Sequence, residues 1–164
     1  MPSTLTSNLA NTATPDLSTA PTEMLELSRP QCLELLAANT VGRLAINTHH
    51  DAPVIRPVNY VFDEASQSVV FRTGLGSKFH HLLQATKAAF EVDGIDPDSH
   101  TGWSVIIVGV SEDVTDPLEL RRLESLVVDP WAPGNKGYLA RIRAYSVSGR
   151  RIALVSDALP GYRA

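Results

Sequence analysis

"VVFRTGLGSKFHHL", residues 69–82, turns from one kind of structure into another within a few residues. The run up to Thr73 is β-branched and aromatic, as a strand requires. Gly74 and Gly76 interrupt it, and from Ser77 the residues suit a short helix through Thr86. Arg72, Thr73, Ser77 and Lys78 fall within seven residues, in a chain that is acidic overall. Two readings stay open. The turn is solvated, or an anion sits at the helix start, where free N–H groups point outward and a hydroxyl and an ammonium stand beside them. The GxxxxGK[ST] spacing is absent and no βαβ unit surrounds the turn, which excludes a Walker loop and a dinucleotide fingerprint.

Outward from this stretch, hairpins dominate. "VGRLAIN" (41–47), "VIRPVNYVF" (54–62) and "SVVFRT" (68–73) read as three strands, with Pro57 implying an edge or a bulge. "AAFEVDG" (88–94) and "GWSVIIVGVSEDVT" (102–115) follow, and residues 137–154 hold a sixth strand expected to break near Ser148-Gly149. Ser28, with Gln31 three residues on and Pro30 in the first turn, signals a helix start, and Asn39 its end. "DPLELRRLESLV" (116–127) is the clearest helix, with Asp116 as N-cap. The expectation is a mainly β domain over 27–160: six antiparallel strands closing into a small barrel with flanking helices, because closure removes exposed edges. Residues 1–26, rich in Ser, Thr, Asn and Pro without a period, read as a flexible tail.

Composition narrows the class. Fourteen Lys and Arg against eighteen Asp and Glu argue against a nucleic-acid surface. No apolar run reaches the ~20 residues of a membrane span. The single cysteine, Cys32, lies among apolar helix residues and fits core packing in a reducing cytoplasm. Five histidines show no HxxxH, HExxH or CxxC spacing, so no metal site is expected.

The order of elements resembles the pyridoxamine 5'-phosphate oxidase-like family, the FMN-binding split barrels, and within it the nitroimidazole-resistance-like branch. "RPVNYVFD" (56–63), "VVFRTGLGSK" (69–78), "GWSVIIVGVSEDVTD" (102–116) and "VSGRRI" (147–152) carry the resemblance. It implies that Arg56, Pro57, Val58 and Asn59 supply main-chain and side-chain hydrogen bonds to a flavin edge. It implies that Thr73 meets the ribityl or phosphate region, with Arg72, Ser77 and Lys78 as phosphate candidates. Trp103 and Ser104, with Arg151, would approach from the other subunit of a homodimer whose cofactor sites lie at the subunit interface. Each residue has a plainer reading: Arg56 as an exposed strand arginine, Asn59 as a cap beside Pro57, Trp103 as interface packing. Arg72 and Phe71 face opposite sides of one strand, as do Arg150 and Arg151.

The implied function is an FMN-dependent oxidoreductase moving hydride or electrons between a reduced nicotinamide and a small-molecule acceptor. The alternative is a non-catalytic module on the same barrel that binds a flavin, a deazaflavin or haem. No residue stands out as an acid, base or nucleophile, so the catalytic residues are unknown. The basic set needed for a second, substrate phosphate is missing, which argues against pyridoxamine phosphate oxidation itself.

Overall fold

The computed structural model describes residues 21–47, 53–74, 86–126 and 137–155. Among these are seven strands and two helices: β1 (Thr22–Glu26), α1 (Arg29–Ala38), β2 (Val41–Asn47), β3 (Pro53–Asp63), β4 (Ser68–Thr73), β5 (Thr86–Asp96), β6 (Thr101–Asp113), α2 (Pro117–Glu124) and β7 (Tyr138–Leu154). The helix expected at 77–86 lies outside the described residues up to 85, and Thr86 opens β5.

All pairings are antiparallel, in the order β1-β7-β4-β3-β2-β5-β6, and β6 also pairs β7. That last pairing closes six strands into a ring. β7 makes the closure possible because it is long and serves both edges. One edge pairs β6 from Ala140 to Ile152. The other pairs β4 with Tyr138–Arg143, then β1 with Arg150–Leu154. The mainly β, split-barrel architecture read from the sequence is the one present.

Three expectations change. Residues 22–26, assigned to the tail, form β1. An edge strand is held by main-chain bonds, so it needs no apolar period, and four of its five residues are exposed. β7 does not break at Ser148-Gly149. Its irregularity lies earlier, where Val108 pairs Ser146 but Gly109 pairs Ala144, leaving Tyr145 as the extra residue of a bulge. Gly149 instead answers a packing demand, since a Cβ there would lie 2.7 Å from Cys32 Sγ. The third change, at Pro57, resolves the choice between bulge and edge. The β2–β3 register runs unbroken through Arg43↔Pro57. Tyr60 donates its N–H to Thr40 O (2.9 Å), so by alternation the nitrogen of Pro57 points away from β2 and no ladder bond is lost.

The ring interior holds Leu44, Ile46, Phe71, Phe90, Val105 and Ile107, all at most 1% exposed. α1 packs into this core through Cys32 and Leu36. Gln31 Oε1 accepts from Ser28 N–H (2.8 Å) and Asn39 Nδ2 donates to Leu35 O (2.7 Å), fixing both ends of the helix. Tyr60 spans core and helix: its ring meets Phe90 edge-on and its hydroxyl donates to Leu36 O (2.7 Å). A second, smaller core lies on the outer face of β3, β4 and β7, where α2 covers Val70 and Leu139 with Leu123. Asp116 caps α2, accepting from Leu118 and Glu119 N–H. No helix among the described residues is long and apolar enough to cross a membrane.

Candidate functional site

Strand alternation sorts the candidate residues by face. Tyr60 and Phe71 are cross-strand partners that point into the core. Asn59 and Arg72, one residue on along the same register, therefore share the outer face, beside Val61 and Val70 under α2. Arg56 and Val58 share the opposite face with Leu44 and Gly42, their β2 partners. The four residues 56–59 thus cannot all turn side chains to one ligand, and contacts from both parities need the main chain. Thr73 is buried at 5% exposure and turns inward like Phe71. Ser77 and Lys78 lie outside the described residues.

Arg72 carries the clearest chemical signal in this group. Its Nε is buried and has no hydrogen-bond partner among the described residues. A guanidinium N–H left unpaired away from water costs about 1–3 kcal/mol. The position faces outward at the end of β4, so an anion there would satisfy it. A planar guanidinium fork on a strand end fits a phosphate.

Trp103, Ser104 and Arg151 sit elsewhere. In the ring, β6 lies three strands from β3 whichever way round one counts. One chain therefore does not unite Trp103 and Ser104 with Arg56–Asn59. Trp103 is paired with Gly94 and Arg151, Ser104 with Asp93 and Arg150. Trp103 and Ser104 alternate, so they face opposite sides of β6. The indole lies over Gly94, where a Cβ would come within 2.6 Å of Nε1. Two cavities flank this hairpin end. One, of about 460 Å³, is lined by Met24, Glu91, Ile95, Trp103, Ser104 and Ile152 among others. The second, of about 570 Å³, takes in Trp103, Arg151 and Leu25. At the hairpin tip, Asp96 accepts from Asp98 and Ser99 N–H, and His100 adopts a left-handed φ of 54°.

Several residues at these sites escaped the sequence reading. Glu91 and Asp93 alternate with the core residues Phe90 and Val92, a period-2 signal that places both acids on the outer face. Asp93 is ion-paired with Arg43. Burial and the charge of Asp93 push the Glu91 carboxyl above its usual range. On the α2 side, Arg122 grips Asp63 with two bonds (2.9 and 2.7 Å) and also binds Glu119. Arg141 joins Glu119 (2.9 Å) to Glu112 (2.6 Å), which also accepts from Arg143. The bonds from Arg122, outweighing burial and helped by Ser66, hold Asp63 down to about 2.

The family described as pyridoxamine 5'-phosphate oxidase matches residues 28–153. The chain belongs to that family. The uncharacterized protein Rv0080 of Mycobacterium tuberculosis is 33% identical over 135 residues, covering 79% of this chain and 86% of the relative. A FAD-binding protein of Mycobacterium smegmatis superposes with a TM-score of 0.69 at 29% identity, over 79% of this chain and 99% of that one. A protein of Bacteroides thetaiotaomicron named as a putative 5-nitroimidazole antibiotic resistance protein shares the fold, with a TM-score of 0.61 at 10% identity over 82% of this chain and 90% of that one. The matched span starts at the α1 cap and ends in β7, so it leaves the whole of β1 outside.

Proposed function

We propose that the chain binds FMN on the outer face of β3 and β4, in a homodimer whose second copy brings Trp103 and Ser104 to the same site. The unpartnered, buried Nε of Arg72 carries this reading. Arg72, with Ser77 and Lys78 further along the sequence, holds the phosphate. The main chain of Arg56–Asn59 and the side chain of Asn59 line the flavin edge. Two copies are required because the two residue groups lie on opposite sides of one ring. A flavin supplies hydride and electron transfer between a reduced nicotinamide and a small acceptor, while the protein binds and orients it and excludes water. FAD is the second reading, favoured by the 29%-identical M. smegmatis relative, which binds it.

The test is an absorbance spectrum of the purified chain before and after incubation with FMN or FAD and gel filtration. One flavin per chain retained on a dimer-sized peak is expected, and Arg72→Ala should lower retention at least tenfold. A colourless dimer that retains neither flavin rejects the proposal. Retention of FAD alone transfers it to the second reading.

A further inference from the structure

We propose that β1 is a strap that releases from β7 as a unit, hinged at Leu27, and that its release uncovers one end of each cavity beside Trp103. The register sets two cross-strand rows at this end of the sheet. Met24, Ile152, Gly102 and Ile95 follow one another across β1, β7, β6 and β5, and Leu25, Arg151, Trp103 and Gly94 form the next row. Successive residues of a strand face opposite sides, so the first row lines the cavity of about 460 Å³ and the second row that of about 570 Å³. β1 is thus an end wall of both, through Met24 on one face and Leu25 on the other.

β1 is separable from the ring on three grounds. The matched family span begins at residue 28, beyond β1, and six strands close the ring without it. Its hold is main-chain pairing to the last residues of β7. Met24 is 63% and Leu25 38% exposed, so little apolar burial backs that ladder. One carboxylate oxygen of Glu23 is buried with no hydrogen-bond partner among the described residues, a cost that closure carries and release removes. The hinge lies at the next residue after the strand. Leu27 packs against the main core and donates its N–H to Gly149 O (2.9 Å), and the Ser28 cap of α1 follows at once, so the chain is fixed from there on. That the uncovered cavities admit a substrate to a flavin rests on the flavin reading, through Trp103. The release of β1 does not.

Alternation along β7 separates release of β1 from fraying of the whole sheet end. Leu27 N–H bonds Gly149 O and Val155 N–H bonds Pro21 O (3.0 Å), so the amides of Glu23, Leu25, Arg151 and Ala153 point across the β1–β7 seam. Those of Arg150 and Ile152 point the other way, to β6. The experiment is hydrogen exchange of the full chain, read residue by residue by NMR and corrected for intrinsic rates. Leu25, Arg151 and Ala153 should exchange about a hundredfold faster than Leu27, Arg150 and Ile152. Glu23→Met, which removes the unpaired oxygen, should slow Leu25, Arg151 and Ala153 about fivefold. Leu25→Ala should speed Arg151 and Ala153 by about the same factor. Uniform exchange overturns the proposal: if slow, β1 is part of the ring, and if fast, the whole sheet end frays. A Glu23→Met protein that exchanges at the wild-type rate or faster overturns it too. Flavin content is read from absorbance on the same samples after incubation with FMN or FAD. The alternating pattern in a protein that retains neither keeps the strap and rejects the flavin reading, and flavin retention with uniform exchange does the reverse.

Discussion

Asp63 and Glu91 are both carboxylates on outward-facing strand positions of one sheet, and their surroundings push them in opposite directions. Asp63 is 3% exposed beneath α2, held by a bidentate Arg122 and by Ser66, and its proton affinity falls to about 2. Glu91 has its proton affinity raised by burial and by the neighbouring Asp93, against the opposing charge of Arg43 across the β2–β5 register. The first acid belongs to the end of the β3–β4 outer face that α2 covers, with a small apolar core and an ion-pair network. The second belongs to a face left uncovered, with Ile106, Val108 and Ile152 each about 40% exposed. A charge that stabilises its own fold reads as architecture.

The covered face should break first and hardest. Leu123 is fully buried against Val70, Val114 and Leu139, and it is the main apolar anchor of α2. Leu123→Ala should cost about 3 kcal/mol, read from urea midpoints at constant m-value. Asp63→Asn should cost roughly 2 kcal/mol at pH 7, because it removes the carboxylate that Arg122 holds. The sign follows from the depressed folded-state pKa. The Asp63 contribution is complete above the unfolded value near 3.9, and it is lost as pH falls through about 2. Thermal melts of wild type and Asp63→Asn should therefore converge between pH 4 and 2. Glu91→Gln should show the mirror image at smaller size. A raised pKa favours folding when the group is protonated, so this variant should melt slightly higher than wild type at neutral pH, and the gap should close as the pH falls. A Glu91→Gln protein less stable at pH 7 would erase the contrast between the two faces.

The sequence displayed most of the ring, because hairpin strands with alternating burial announce themselves. The bounds of β2 and β4 are those read from the sequence. β1 was hidden because five residues paired to an edge bury little and so carry no pattern. The continuity of β7 was hidden because Gly149 looks like a breaker, while its actual role is to admit Cys32. The site split along the same line. Arg72 could be named from its position beside Gly74 and Gly76, and Asn59 only from the family resemblance of residues 56–63. The acids Glu91 and Asp93 were overlooked in "AAFEVDG", although their alternation with Phe90 and Val92 was legible. Which charges meet across 59 or 22 residues, as Asp63 meets Arg122 and Glu119 meets Arg141, depends on register and helix placement that no local pattern records.

The smallest expected effect on folding separates the two faces most cleanly. Ile106 and Val108 project from the middle of β6 on the uncovered side, and their β7 partners there are Ser148 and Ser146. Nothing among the described residues buries them, since Ile106 is 41% and Val108 43% exposed, so Ile106→Lys should change the stability of the single chain by no more than about 0.5 kcal/mol. If this face meets a second copy, a lysine in its centre is buried without a counter-charge, and association should weaken by at least two orders of magnitude. Sedimentation velocity would then show a folded monomer. Flavin retention should fall with the dimer, since Trp103 lies further along the same strand. Ile106→Lys in a dimer of wild-type strength would place the subunit contact elsewhere.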